Sequence, residues 1–85
     1  MKLVRYIPEI KGCYGPRLWV DKTDKELCEF LKLICLWGSP VAIQGTGDKY
    51  ECCYELPIGT FDNSLWRTAM HRLELRLVED GGLHE

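Results

Sequence analysis

Histidine and serine are scarce in this chain, two of each among 85 residues: His71 and His84, Ser39 and Ser64. Neither serine lies in the G-x-S-x-G setting of a nucleophile elbow. Ser39 follows a helix stop and Ser64 sits at a helix start. His71 falls on the side of the last helix away from its apolar stripe, a solvated position, and His84 lies in the tail. No phosphate-binding loop is present, because GTGD at 45–48 lacks the lysine-serine/threonine pair and the helix that must follow. The five cysteines include no pair two to four residues apart, the spacing that a structural zinc site uses. The carboxylate pairs that do occur, Glu51 with Glu55 and Asp24 with Glu26, are accounted for by strand solubility and helix capping. The sequence therefore predicts no catalytic residues, no metal site and no cofactor.

Long apolar runs are missing too. None approaches the ~20 residues of a membrane span, so no membrane association is expected. Arg5, Pro8 and Glu9 interrupt the N-terminus where a signal peptide needs continuous apolar sequence. The expected location is cytoplasmic. A strongly basic surface is also lacking, with a pI near 5.7. Charge is uneven nonetheless. Residues 1–22 carry five basic side chains against two acidic, +3, and the remainder six against eleven, −5.

What is there is ordinary globular composition, 46% hydrophobic and 28% charged, which predicts one compact domain over residues 1–85. KLVRYI (2–7) reads as a strand ended by Pro8. KGCYGP is turn chemistry, and RLWVD (17–21) alternates, pairing with the first strand as a long-looped hairpin. Thr23-Asp24-Lys25-Glu26 fits a capping box with Thr23 as the cap. The spacing predicts a helix from there through Trp37, stopped by Gly38. PVAIQ and KYECCYELP form a second hairpin about Gly45 and Gly47. A last helix starts at Asn63 or Ser64 and runs to Gly81–Gly82. RLELRLV within it also alternates with period two, so a strand from about residue 72 is the rival. The absence of a turn before it favours helix. The order ββαββα predicts an α+β, two-layer sandwich: a four-stranded antiparallel sheet with two helices on one face.

The adjacent thiols of KYECCYELP, Cys52 and Cys53, point to opposite faces of a strand. They cannot share one metal ion, and a disulfide between neighbours would be strained. Tyr50, Cys52, Tyr54 and Leu56 are expected in the core, with Glu51, Cys53 and Glu55 towards solvent. Two carboxylate neighbours raise the Cys53 pKa, the wrong direction for a nucleophile.

The informative side chains are those the fold does not need. On a helical projection Leu27, Phe30, Leu31 and Ile34 form the apolar stripe, with Cys28, Cys35 and Trp37 at its margins. Leu33 and Leu36 lie outside it, Leu36 among Lys25, Glu29 and Lys32. Burying a leucine is worth roughly 1.5–3 kcal/mol, so exposed ones point to a partner surface. Trp19 is a second surplus, on the open face of the sheet. The sequence thus reads as a non-enzymatic protein–protein interaction module, an inhibitor or adaptor acting by steric occlusion. Its size and form fit a phage- or mobile-element-encoded protein directed at a host defence complex. The apolar centre is assigned to Trp19, Leu33, Leu36 and Trp37, and the rim to Arg17 and Glu29. The partner would be a larger protein or nucleoprotein complex, or a second copy in a homodimer. The second reading is a nucleic-acid-binding or regulatory domain using the N-terminal basic patch and open-face aromatics.

Overall fold

A computed structural model describes residues 2–46 and 49–79. Gly47 and Asp48 of the second turn, Gly81–Gly82 and His84 lie outside the described residues. Among the described residues, five strands form one mixed sheet: β1 (Lys2–Ile7), β2 (Arg17–Asp21), β3 (Ala42–Thr46), β4 (Lys49–Glu55) and β5 (Leu75–Glu79), in the order β3-β4-β2-β1-β5. Two helices, α1 (Lys25–Ile34) and α2 (Ser64–Leu73), and a 3₁₀ turn (Thr60–Asp62) complete it. The two expected hairpins are present: β1 pairs antiparallel with β2 through Arg5↔Trp19, and β3 with β4 through Ile43↔Cys52.

The fifth strand corrects the sequence reading. The chain leaves α2 at Leu73, turns on Glu74 in the left-handed region (φ 56) and enters β5, parallel to β1 with Val4↔Leu77. The alternation in RLELRLV is that of a strand from Leu75 onward, while Arg72 and Leu73 remain in the helix. A single left-handed residue, with neither glycine nor proline, suffices to end the helix. Leu75, the first residue of β5, is 8% exposed in the core. The sheet is mixed rather than wholly antiparallel. β2-α1-β3 and β4-α2-β5 are two crossover units of a split βαβ arrangement, with β1 inserted between β2 and β5.

The first helix is also shorter than its pattern. Asp24, not Thr23, caps it, its carboxylate accepting from Leu27 N–H at 3.3 Å. Thr23 instead donates from both its amide and its hydroxyl to the Asp21 carboxylate, at 2.8 and 2.7 Å. The last helical bond runs from Cys35 N–H to Leu31 C=O. The next amide, Leu36, donates to Glu55 C=O, so the end of β4 draws the chain off the helix before Gly38 is reached.

Both helices cover one face. Leu27, Leu31 and Trp66 share a core with Val4, Leu18, Val20, Cys52 and Tyr54 of the sheet, and Leu31 and Leu56 are fully buried. Trp66 stacks between Phe61 (5.4 Å) and Phe30 (6.1 Å), tying α2 to α1. Gly15 lets the β1–β2 connection pass against Leu56; a methyl there would overlap the Leu56 carbonyl. Among the described residues, no helix covers the other face of the sheet.

Candidate interaction surfaces

Strand pairing fixes what the uncovered face displays. One row across it is Ala42, Cys53, Trp19, Arg5 and Val78, read from successive cross-strand partners. The next rows hold Arg17 with Glu55 and Ile7, and Asp21 with Glu51 and Gln44. Trp19 is half-buried, and the Arg5 guanidinium lies 5.7 Å from its ring centroid. Arg5 also donates to the Glu51 carboxylate. Arg17 lies 4.9 Å over the Tyr14 ring and 4.0 Å from the Glu55 carboxylate, an ion pair without a hydrogen bond. Such stacks hold Trp19 and Arg17 in fixed positions, so less side-chain entropy is lost on docking. Leu3 and Val78 of the same face are exposed by 70% and 43%.

Cys53 and Glu55 depart from expectation. Both were assigned to solvent, yet they are buried, Cys53 to 2% exposure between Trp19 and Ala42. Burial, more than the neighbouring Glu55, pushes the Cys53 thiol from an ordinary 9.0 up to about 11, against the opposing pull of Arg17 and Arg5. It is a packed thiol and not a thiolate at neutral pH. On the covered face, burial also raises Cys28, whose Sγ donates to Asp21 C=O at 3.5 Å. The same effect, aided by Cys28 and Cys52, lifts the Tyr54 phenol to about 12. Among the described residues, no three His, Cys, Asp or Glu side chains converge as a metal would require. His71 is exposed on α2. Among the described residues, no helix is long and apolar enough to cross a membrane.

The remaining assigned residues gather elsewhere. Leu33 is 84% exposed on the outside of α1, as its helical phase predicts, and Glu29 is exposed on the same helix. Leu36 and Trp37 (47% and 67% exposed) are not helical. They lie in the connection from α1 to β3, hydrogen-bonded to the end of β4, so Leu36 does not sit among Lys25, Glu29 and Lys32 on a helix. The six residues thus divide into an open-face pair, Trp19 and Arg17, and a second group where α1 leads into the sheet.

Two apolar features were missed. Val41 and Ile43, 42% and 64% exposed, extend the Leu36–Trp37 group along β3. The signal was legible: residues 33–47 contain no charged side chain, where 15 residues at 28% would carry about four. The other feature is a cavity of about 460 Å³ between α1 and the start of α2, lined by Phe30, Ile34, Ile58, Leu65 and Trp66 among others and by no charged side chain.

Comparison with protein-family models, with curated proteins and with solved structures finds no match.

Proposed function

We propose that the chain is a non-enzymatic interaction module that docks a larger protein or nucleoprotein complex on its open sheet face, centred on Trp19 and Arg17. The observation that carries this reading is a sheet face, uncovered by helix among the described residues, on which Trp19, Arg5, Arg17 and Tyr14 form two preset aromatic–arginine stacks. Tryptophan, tyrosine and arginine are the side chains most enriched at interface centres. Leu3 and Val78 supply further apolar area beside them. Leu33, Leu36 and Trp37, with Glu29 at the rim, form a second contact surface. The action is steric: an inhibitor or adaptor of this size works by covering a site on its partner. Its setting is the cytoplasm, with a phage or mobile element as source and a host defence complex as target.

The same face favours a second reading, nucleic-acid binding, because Trp19 on an uncovered sheet could stack a base. Charge weighs against it. Among the side chains described on that face, Arg5, Arg17 and Arg76 are matched in number by Asp21, Glu51 and Glu55, so these offer no basic surplus to phosphates. Immobilised wild-type protein and the variants Trp19→Ser and Arg17→Glu, each checked by circular dichroism, should be compared for retained protein after nuclease treatment. Loss of one retained protein with both variants supports docking on this face. Retention unaffected by either variant, or abolished by nuclease and by moderate salt, defeats it.

A further inference from the structure

Trp66 is the largest side chain of the helix layer, and its polar atom is left over. The residue is 4% exposed, with Phe61 stacked on it at 5.4 Å and Phe30 at 6.1 Å, each ring 19° from its plane. Its indole nitrogen is buried and has no hydrogen-bond partner among the described residues. A buried tryptophan N–H ordinarily finds an acceptor, because a donor without one has lost its hydration for nothing. With phenyl rings stacked on it, the indole has its edge, which carries Nε1, left to meet anything further.

Trp66 and Phe30 are also walls of the cavity of about 460 Å³ between α1 and the start of α2. That volume lies within the range of small-molecule sites, about 300–1,000 Å³. Ile34, Ile58 and Leu65 make the wall largely apolar, and no charged side chain lines it. Its polar side chains are already engaged: the Thr60 hydroxyl donates to Pro57 C=O at 2.6 Å, and the Asn63 side-chain carbonyl accepts from Leu65 N–H at 2.8 Å. Water is a poor occupant of such a place, needing roughly two to four polar partners. An ion is a worse one, because the wall offers no countercharge for the hydration it would lose.

We propose that this cavity binds a small, uncharged aromatic molecule bearing a carbonyl-type acceptor, with Trp66 Nε1 as the donor. The ligand's ring lies against Phe30, Ile34 and Leu65, and its oxygen takes the unmet hydrogen bond. The N-terminal end of α2, which starts at Ser64 beside the cavity, carries partial positive charge and favours an electron-rich oxygen there. The site belongs to the helix layer, whereas the docking face is the other side of the sheet, so the two readings stand or fall separately.

The test is a proton–nitrogen correlation titration of isotope-labelled protein followed at the tryptophan indole signals, with Trp19→Phe and Trp37→Phe assigning Trp66 by elimination. The probes are acetophenone, α-methylstyrene and benzoate, close in shape: the second lacks the acceptor and the third carries a charge. Expected with acetophenone is a saturable downfield shift of the Trp66 indole proton, at a millimolar Kd or tighter, while Trp19 and Trp37 stay in place. α-Methylstyrene should bind about 2- to 12-fold more weakly, the worth of one net hydrogen bond. Benzoate should leave the signal where it is. Trp66→Phe keeps an aromatic ring in the stack and should abolish the preference for acetophenone over α-methylstyrene, followed at the Leu65 amide. Should that variant fail to fold, the probe series on the wild type decides alone. No saturable shift with acetophenone, equal affinity for α-methylstyrene, or binding of benzoate overturns the inference. So does a Trp66 signal that moves with protein concentration before any probe is added, which would put a second copy of the chain in the cavity.

Discussion

Leu31 and Leu33 stand two residues apart on α1, one fully buried and the other 84% exposed, so one substitution made at both measures what the helix face is worth. Leu31→Ala removes a fully buried side chain from the core cluster that also holds Leu27, Leu18 and Tyr54, at a cost of about 2–5 kcal/mol. A domain of 85 residues holds only about 4–13 kcal/mol in total. The loss should lower Tm by roughly 8–40 °C, at about 4–8 °C per kcal/mol for a chain this size. Leu33→Ala loses little packing and gains slightly in helix propensity, so its change should stay within about 0.5 kcal/mol. Thermal and urea unfolding followed by circular dichroism, with m-values compared, separates the two. Equal destabilisation by both changes, or none by Leu31→Ala, would show that the helix presents a different face to the sheet. A large effect at Leu33 would remove it from any contact surface and return it to the core.

Gly15→Ala places a methyl against the Leu56 carbonyl and should destabilise by about 1–3 kcal/mol through a backbone shift, read as a lowered urea midpoint. At Glu74 (φ 56), glycine should be tolerated or mildly stabilising, whereas valine, whose branched Cβ disfavours that region, should cost about 1–2 kcal/mol; thermal unfolding ranks the three. The folded-state pKa values of Cys53 and Tyr54 lie above their unfolded values, so the native state holds protons that the unfolded chain releases. Their contribution is fully present below about pH 9 and is lost as pH rises towards 11 to 12; a pH series of urea midpoints that stays flat through pH 11 would contradict it. Native protein at neutral pH should be alkylated at the exposed Cys13 well before the buried Cys28, Cys52 and Cys53, as peptide mapping after iodoacetamide would show.

Much of the fold was legible because local chemistry and tertiary demand agreed. KLVRYI and RLWVD alternate and pair, and Asn63 caps α2 through Leu65 N–H at 2.8 Å. The misreadings fall where a tertiary partner outweighed a local pattern. Residues 72–79 fitted both periods, and pairing with β1, which would otherwise be an exposed edge, settles Leu75–Glu79 as a strand. Leu36 and Trp37 continued the helical period, but the carbonyl of Glu55 captured the chain first. Alternation placed Cys53 on the outer face correctly; it could not foresee that Trp19 and the flanking arginines would bury that face locally. Trp19 and Leu33 were identifiable as surplus from pattern alone. Val41 and Ile43 were not, because alternation cannot say which strand lies at an edge; the uncharged run across 33–47 was the available clue.

The open face as a docking surface is tested most directly by site-specific photocrosslinking from two positions of similar exposure, Leu3 on that face (70%) and Leu65 on α2 (78%). A benzophenone amino acid at each position, irradiated in cells of the native setting, reports what lies against either layer. The account predicts one discrete protein adduct through position 3 that disappears when Trp19→Ser is added, and no matching adduct through position 65. Adducts through position 65 alone, a nucleic-acid adduct through position 3, or none at either would contradict it.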